Sequence, residues 1–285
     1  MTEPMTARDV LTRWMAKQIG VIQTREADVR IDATDAVHKT RVATRRLRSM
    51  LKTFAPLFRP RRAHALRTEL TWLAGLLGDS RDAEVLLATF TSLLDDLGPD
   101  KVSDPVRTRL LEHLTRQHAD AHADMVEGLD TKRARKLREA LAFALDNPPL
   151  RADAGLPAAQ VLLPLRARAV AEVALLGAHA LIEPEELEDW HEVRKAAKAV
   201  RYASEAMTSA LLSEGEIERW EAVTETFGTL QDTAVMIEVI DLLAEDASDD
   251  EQASWQALRD AELERQAKAL SDGEDALDQA LGAKL

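Results

Sequence analysis

VHKTRVATRRLRSMLKTF, residues 37–54, holds one histidine and six Lys/Arg residues and no acid. A helix turns by about 100° per residue. On that wheel His38, Arg41, Arg45, Arg48 and Lys52 share an arc of about 80°. Ala43, Leu47, Met50, Leu51, Phe54 and Phe58 share an apolar arc. The stretch therefore reads as one helix with a core face and a basic stripe. From His38 to Lys52 the stripe runs about 21 Å at 1.5 Å per residue.

The flanking sequence keeps the same period. Ala, Leu, Arg and Glu dominate the chain and are strong helix formers. Apolar residues recur at helical spacing almost throughout, with no alternating strand pattern and no Asn-Gly or Asp-Gly hairpin. Breaks fall at RPRR (59–62), GPD (98–100), DNPPLRADAGLP (146–157), IEPEE (182–186) and SEGE (213–216). The expectation is an all-α protein of about ten helices or more. The Pro-rich stretch 146–157 is the candidate linker, giving a first half over 1–150 and a second over 151–285.

The halves resemble each other. WHEVRKAAKAVRYAS (190–204) aligns with VHKTRVATRRLRSML so that His191 falls on His38, Arg194 on Arg41, Lys198 on Arg45 and Arg201 on Arg48. Downstream, TFGTLQDTAVM (226–236) aligns with LLGDSRDAEVL (76–86), placing Gly228 on Gly78 and Asp232 on Asp82. Two motifs in one order at nearly one separation indicate an internal duplication. The copies differ: Glu205 stands where Lys52 stands, so the second stripe is shorter, and Gln231 replaces Arg81.

A row of cations at i, i+3 and i+4 repels itself by a few tenths of a kcal/mol per pair, and the first copy has no local acid to offset it. One reading is a solvated face paired with acids elsewhere. The other is a groove in which the two stripes meet a polyanion, with Arg offering a planar fork and Lys a point charge to phosphate oxygens. The rest of the chain has the opposite sign. The formal net charge is −13, and residues 214–285 hold 20 Asp/Glu against 5 Lys/Arg.

At this point the residues resemble the CHAD domain family. The resemblance rests on the spacing H-x-x-R-x-x-x-[RK]-x-x-R occurring twice, with LGDSRDAEVL after the first copy, and covers about residues 6–280. It implies two antiparallel bundles of about four helices each, related by a pseudo-two-fold axis around a basic groove or pore. It also implies binding of inorganic polyphosphate without catalysis, and no cofactor. Some members carry a triphosphate-handling CYTH domain; the two halves fill this chain, which reads as a stand-alone member. The implied ligands are His38, Arg41, Arg45, Arg48 and Lys52, then His191, Arg194, Lys198 and Arg201. Lys39, Arg46, Lys195 and Tyr202 lie off the stripe as secondary candidates, with Arg81, Arg166 and Arg168 beside them. Asp82 and Asp232 read as helix caps or partners of a basic residue.

Other classes fit less well. There is no cysteine, so thiolate metal sites and disulfides are excluded. No signal-peptide pattern and no run of 18 apolar residues is present, so the expected setting is the cytoplasm, with association at polyphosphate granules, and no membrane partner. Aromatic residues make up 4%, too few for base-stacking platforms, and the negative charge repels duplexes; nucleic acid is an unfavoured partner. His118 and His122 sit at metal-ligand spacing but lack a third ligand. A metal-dependent phosphate-processing enzyme needs carboxylates beside the groove, for which only Glu192 and Glu205 offer themselves. A helical scaffold docking an acidic protein is the remaining alternative.

Overall fold

The computed structural model describes residues 5–184, 186–208 and 210–282. Among these there is no strand, and ten α-helices follow one another. They are α1 (Ala7–Thr24), α2 (Glu26–Arg30), α3 (Ala36–Thr53), α4 (Pro60–Leu97), α5 (Asp104–Leu129), α6 (Lys132–Asp146), α7 (Ala158–Ala180), α8 (Leu187–Met207), α9 (Glu214–Ala244) and α10 (Asp249–Leu281). The ends follow local chemistry. Thr6 with Asp9 and Ser248 with Glu251 form capping boxes that start α1 and α10. Pro60 opens α4, where its missing N–H costs nothing. Gly98 ends α4 at φ 70°, a conformation that a side chain would strain.

Packing repeats in serial order. α1, α3, α4 and α5 contact one another in sequence, and so do α7, α8, α9 and α10; α6 is added against α1 and α4. One apolar core is built around Leu11, Ile19, Leu47, Phe54 and Leu70, and takes in Leu162, Ala203 and Met207 from the second half. A second gathers Trp190, Val200, Trp220 and Phe227, with the Trp190 and Phe227 rings stacked 5.0 Å apart. A third joins the far ends of the two long hairpins, α4–α5 and α9–α10, through Phe90, Leu110, Ile240 and Trp255.

The stretch 146–157 is not a loose tether. Arg59 donates its backbone N–H to Pro149 (2.7 Å), Arg151 to Leu57 (2.9 Å), Ala7 to Leu156 (3.0 Å) and Ala158 to Met5 (2.9 Å). These bonds answer the backbone groups that a proline-rich crossing would otherwise leave unpaired. α3 and α8 then pack directly against each other, with their basic stripes at the junction.

Candidate polyanion-binding site

Two cavities lie along this junction. The larger, about 840 Å³, is lined by α1, α3, α8 and α9. The smaller, about 550 Å³, is lined by α3, α4 and α8. Arg45, Lys198 and Tyr202 line both, so these three side chains stand where the cavities meet. The smaller cavity presents Arg45, Arg48, Lys52, Arg67, Lys195 and Lys198 and no acid. The larger mixes cations with Asp35, Glu221, Glu225 and Asp232.

The sequence motif on α4 and α9 is explained by what it faces. Arg41 donates from both terminal nitrogens to Asp82, at 2.6 and 3.3 Å, and the charge of Arg81 bears on His38. In the second copy Asp232 bears on Arg194 and Gln231 on His191. Asp82 and Asp232 lie inside their helices, so neither is a cap: Asp82 is ion-paired with Arg41, whereas among the described residues Asp232 acts on Arg194 and Lys198 through its charge alone. The paired glycines clear the path for the guanidiniums. A Cβ on Gly78 would stand 3.9 Å from Arg41 Nη2, and one on Gly228 only 2.9 Å from Arg194 Nη2. Alanine is worth up to ~1 kcal/mol over glycine inside a helix. Gly78→Ala is therefore expected to raise the melting temperature, whereas Gly228→Ala loses that gain by displacing Arg194 and weakens anion binding several-fold. Thermal melts and a titration of the two variants check this contrast.

The remaining predicted ligands divide by how their charge is answered. Glu205, with a side chain 9% exposed, stands between the halves: Arg46 Nε lies 2.6 Å from one of its oxygens, and Arg201 Nε donates to the other at 3.2 Å. Arg201 also bonds Glu221 and, at 3.0 Å, Thr224. The residue that replaced Lys52 thus closes an ionic clamp between α3 and α8. Lys39 pairs with Asp35, Lys195 with Glu192 and Arg81 with Glu84. By contrast, Arg45, Arg48, Lys52, Arg67, Arg194 and Lys198 have no ion-pair partner among the described residues.

Burial among like charges perturbs these groups. Lys198 is pushed down to about 6, first by burial and then by Arg45, Arg194 and Arg41, with Asp232 opposing. Arg48 is lowered by burial, then by Arg45 and Arg67. Desolvation lowers both His38 and His191, with Arg81 and Lys195 adding to it. On the acid side, burial raises Asp232, and it raises the fully buried Glu262, whose Oε1 lies 3.5 Å from Arg265.

Of the nine stripe residues, His38, Arg45, Arg48, Lys52, Arg194, Lys198 and Arg201 line a cavity; Arg41 and His191 do not. Lys39, Arg46 and Lys195 also line one, and Tyr202 lines both. Arg166 lies outside both, bonded to Ser204 and Glu216, each at 2.8 Å. Arg168 is on the exposed side of α7. Sequence reasoning missed Lys17 on α1, Arg25 just after it and Arg67 on α4, single cations without a repeated spacing to mark them. His118 and His122 use Nε2 to hold the α2 region, at 2.9 Å to Asp32 and 3.1 Å to the Val29 carbonyl. Among the described residues no helix is long and apolar enough to cross a membrane.

Known proteins share this architecture. PptA from Streptomyces chartreusis superposes with a TM-score of 0.78 at 20% identity, over 98% of this chain and 100% of that one. The crystal structure of the CHAD domain from the plant Ricinus communis gives 0.73 at 25% identity, over 99% and 94%. An uncharacterized protein of Mycobacterium tuberculosis, found in strains CDC 1551 and H37Rv, is 32% identical over 206 residues. That match covers 71% of this chain and 40% of the relative, so the chain spans well under half the length of these relatives. The model of the CHAD domain matches residues 13–241, and with both stripes inside that span the chain belongs to the CHAD domain family.

Proposed function

We propose that this chain binds inorganic polyphosphate along the junction of α3 and α8 and does not turn it over. The observation that carries the reading is the smaller cavity: Arg45, Arg48, Lys52, Arg67 and Lys198 surround it, none has an ion-pair partner among the described residues, and no acid lines it. Gathering unpaired cations in one cavity is unfavourable unless an anion of matching charge density arrives. A flexible phosphate string offers many such charges in a row. The larger cavity extends the track past Arg194 toward Lys17 and Arg25. The acidic hairpin α9–α10 disfavours loose association of other polyanions at the exterior.

Affinity then comes from many charge-assisted contacts with counterion release. With about five phosphates neutralised, a slope of about −0.7 per contact makes binding fall roughly 100-fold between 50 and 200 mM salt. Calorimetric titration with long-chain polyphosphate and with orthophosphate, at both salt concentrations, tests this. Binding of the long chain alone, with that salt slope, supports the reading. A folded protein that ignores polyphosphate sinks it and moves the docking of an acidic protein to first place. Release of orthophosphate on adding Mg²⁺ would overturn the non-catalytic part.

A further inference from the structure

α7 carries a second surface that the anion site does not use. Its outward side exposes Leu163, Ala167, Ala171 and Leu175, continued by Leu156 before the helix and Ile182 after it. These are not small side chains grazing solvent: Leu175 is 74% exposed, Ile182 72%, Leu156 42% and Leu163 36%. Exposed large aliphatics aligned on one helix face mark an interaction surface more than scattered ones do. The face also carries Arg168 and Glu172, both exposed and neither with an ion-pair partner among the described residues.

The spacing of this stripe is palindromic. Within α7, Leu163 and Leu175, and Ala167 and Ala171, are each centred on position 169. A two-fold axis through that level, relating two antiparallel copies of α7, sets each of these against its mate: the outer pair matches leucine with leucine, and the alanines meet at the centre, where helices can approach closely. The same operation brings Arg168 within about 3 Å, along the axis, of the partner's Glu172 on the same flank, twice by symmetry. A stripe that complements itself in size and charge fits a second copy better than an unrelated chain. We infer that α7 is the contact surface of an antiparallel, two-fold homodimer.

One helix pair is a small interface, so the dimer should exchange with monomer as concentration changes. Sedimentation equilibrium of the full chain over a wide concentration range is expected to show a rise toward twice the monomer mass. Leu175→Glu, which sets a charge against the partner's Leu163, is expected to hold the protein monomeric while leaving polyphosphate binding unchanged. Arg168→Glu alone should weaken association, and Arg168→Glu with Glu172→Arg should restore it, which guards against a variant that fails by misfolding. Orientation has its own readout, since the natural chain has no cysteine. A mixture of Ala167→Cys and Ala171→Cys chains should crosslink faster than either alone. Monomer at every concentration, a dimer indifferent to Leu175→Glu, or no rescue by the charge exchange would each overturn the inference.

Discussion

Arg45→Glu with Arg48→Glu is expected to weaken binding of long-chain polyphosphate by at least ~100-fold. Each change removes a charge-assisted contact of about 1.5–3 kcal/mol and adds a repulsion, and ~1.4 kcal/mol is tenfold in affinity. Both side chains line the smaller cavity, and burial among Arg45, Arg67 and their neighbours already disfavours the charged form of Arg48. Reversing them relieves that crowding, so the unliganded variant should melt no lower than the parent. Arg41→Gln is the contrast, because Arg41 is committed to Asp82 and lines neither cavity; a loss under about fivefold is expected there. Calorimetry with circular dichroism on the three proteins checks the pattern. A double variant that binds within threefold of wild type would remove the smaller cavity from the site.

Lys198→Met is expected to stabilise the empty protein and to remove most of the pH dependence of binding. The folded-state value of Lys198 is about 6, against 10.5 for the free side chain. The unfolded chain therefore holds this proton more tightly, and Lys198 opposes folding. The full penalty applies below pH 6 and fades as pH rises toward 10.5. At pH 7 methionine removes it while keeping the aliphatic stem. Allowing for solvent in the groove, a gain on the order of 2 kcal/mol, or several degrees in melting temperature, is expected. A bound polyanion reverses the balance, since phosphate beside Lys198 favours the ammonium over Arg45, Arg194 and Arg41, which disfavour it. Between pH 7 and 8 binding should take up close to one proton at Lys198, and affinity should fall up to about tenfold per pH unit. His38 and His191, both lowered, add uptake that persists in the variant. Titrations in two buffers of different ionisation enthalpy count the protons. A wild type that takes up none, or a variant that melts lower, would show that Lys198 is charged in the empty groove.

The two basic helices were legible because a helix turns every residue type through the same angle, so a stripe of cations beside an apolar face can be drawn from spacing alone. The duplication made the second stripe visible even where Glu205 interrupts it. What spacing does not give is the partner across the gap. Asp82 neutralises Arg41 over 41 positions, and Glu205 gathers Arg46 and Arg201 from different halves. Both depend on how helices cross. For the same reason Arg46, which looked peripheral on the wheel of α3, lies at the junction, with its guanidinium 5.8 Å from the Tyr202 ring. Arg168, chosen for its charge, turned out to sit on a face with a different geometry. The Pro-rich stretch 146–157 read as a boundary; the bonds that tie it to Arg59, Leu57 and Ala7 come from residues more than 80 positions away and leave no mark on its composition.

The apolar joint between the far ends of the two long hairpins bears on which anions can enter. That joint, with the ionic clamp at Glu205 and the core shared through Ala203 and Met207, fastens the halves to each other at separated places. On the proposed reading, an opening whose sides are fastened in this way should widen little to suit its guest, and so is expected to sort by thickness as well as by charge. A bare string of phosphates, one tetrahedron wide, is then expected to enter. A nucleic acid carries the same charge on a strand thickened by sugars and bases, and on the proposed reading is expected to be held at the rim.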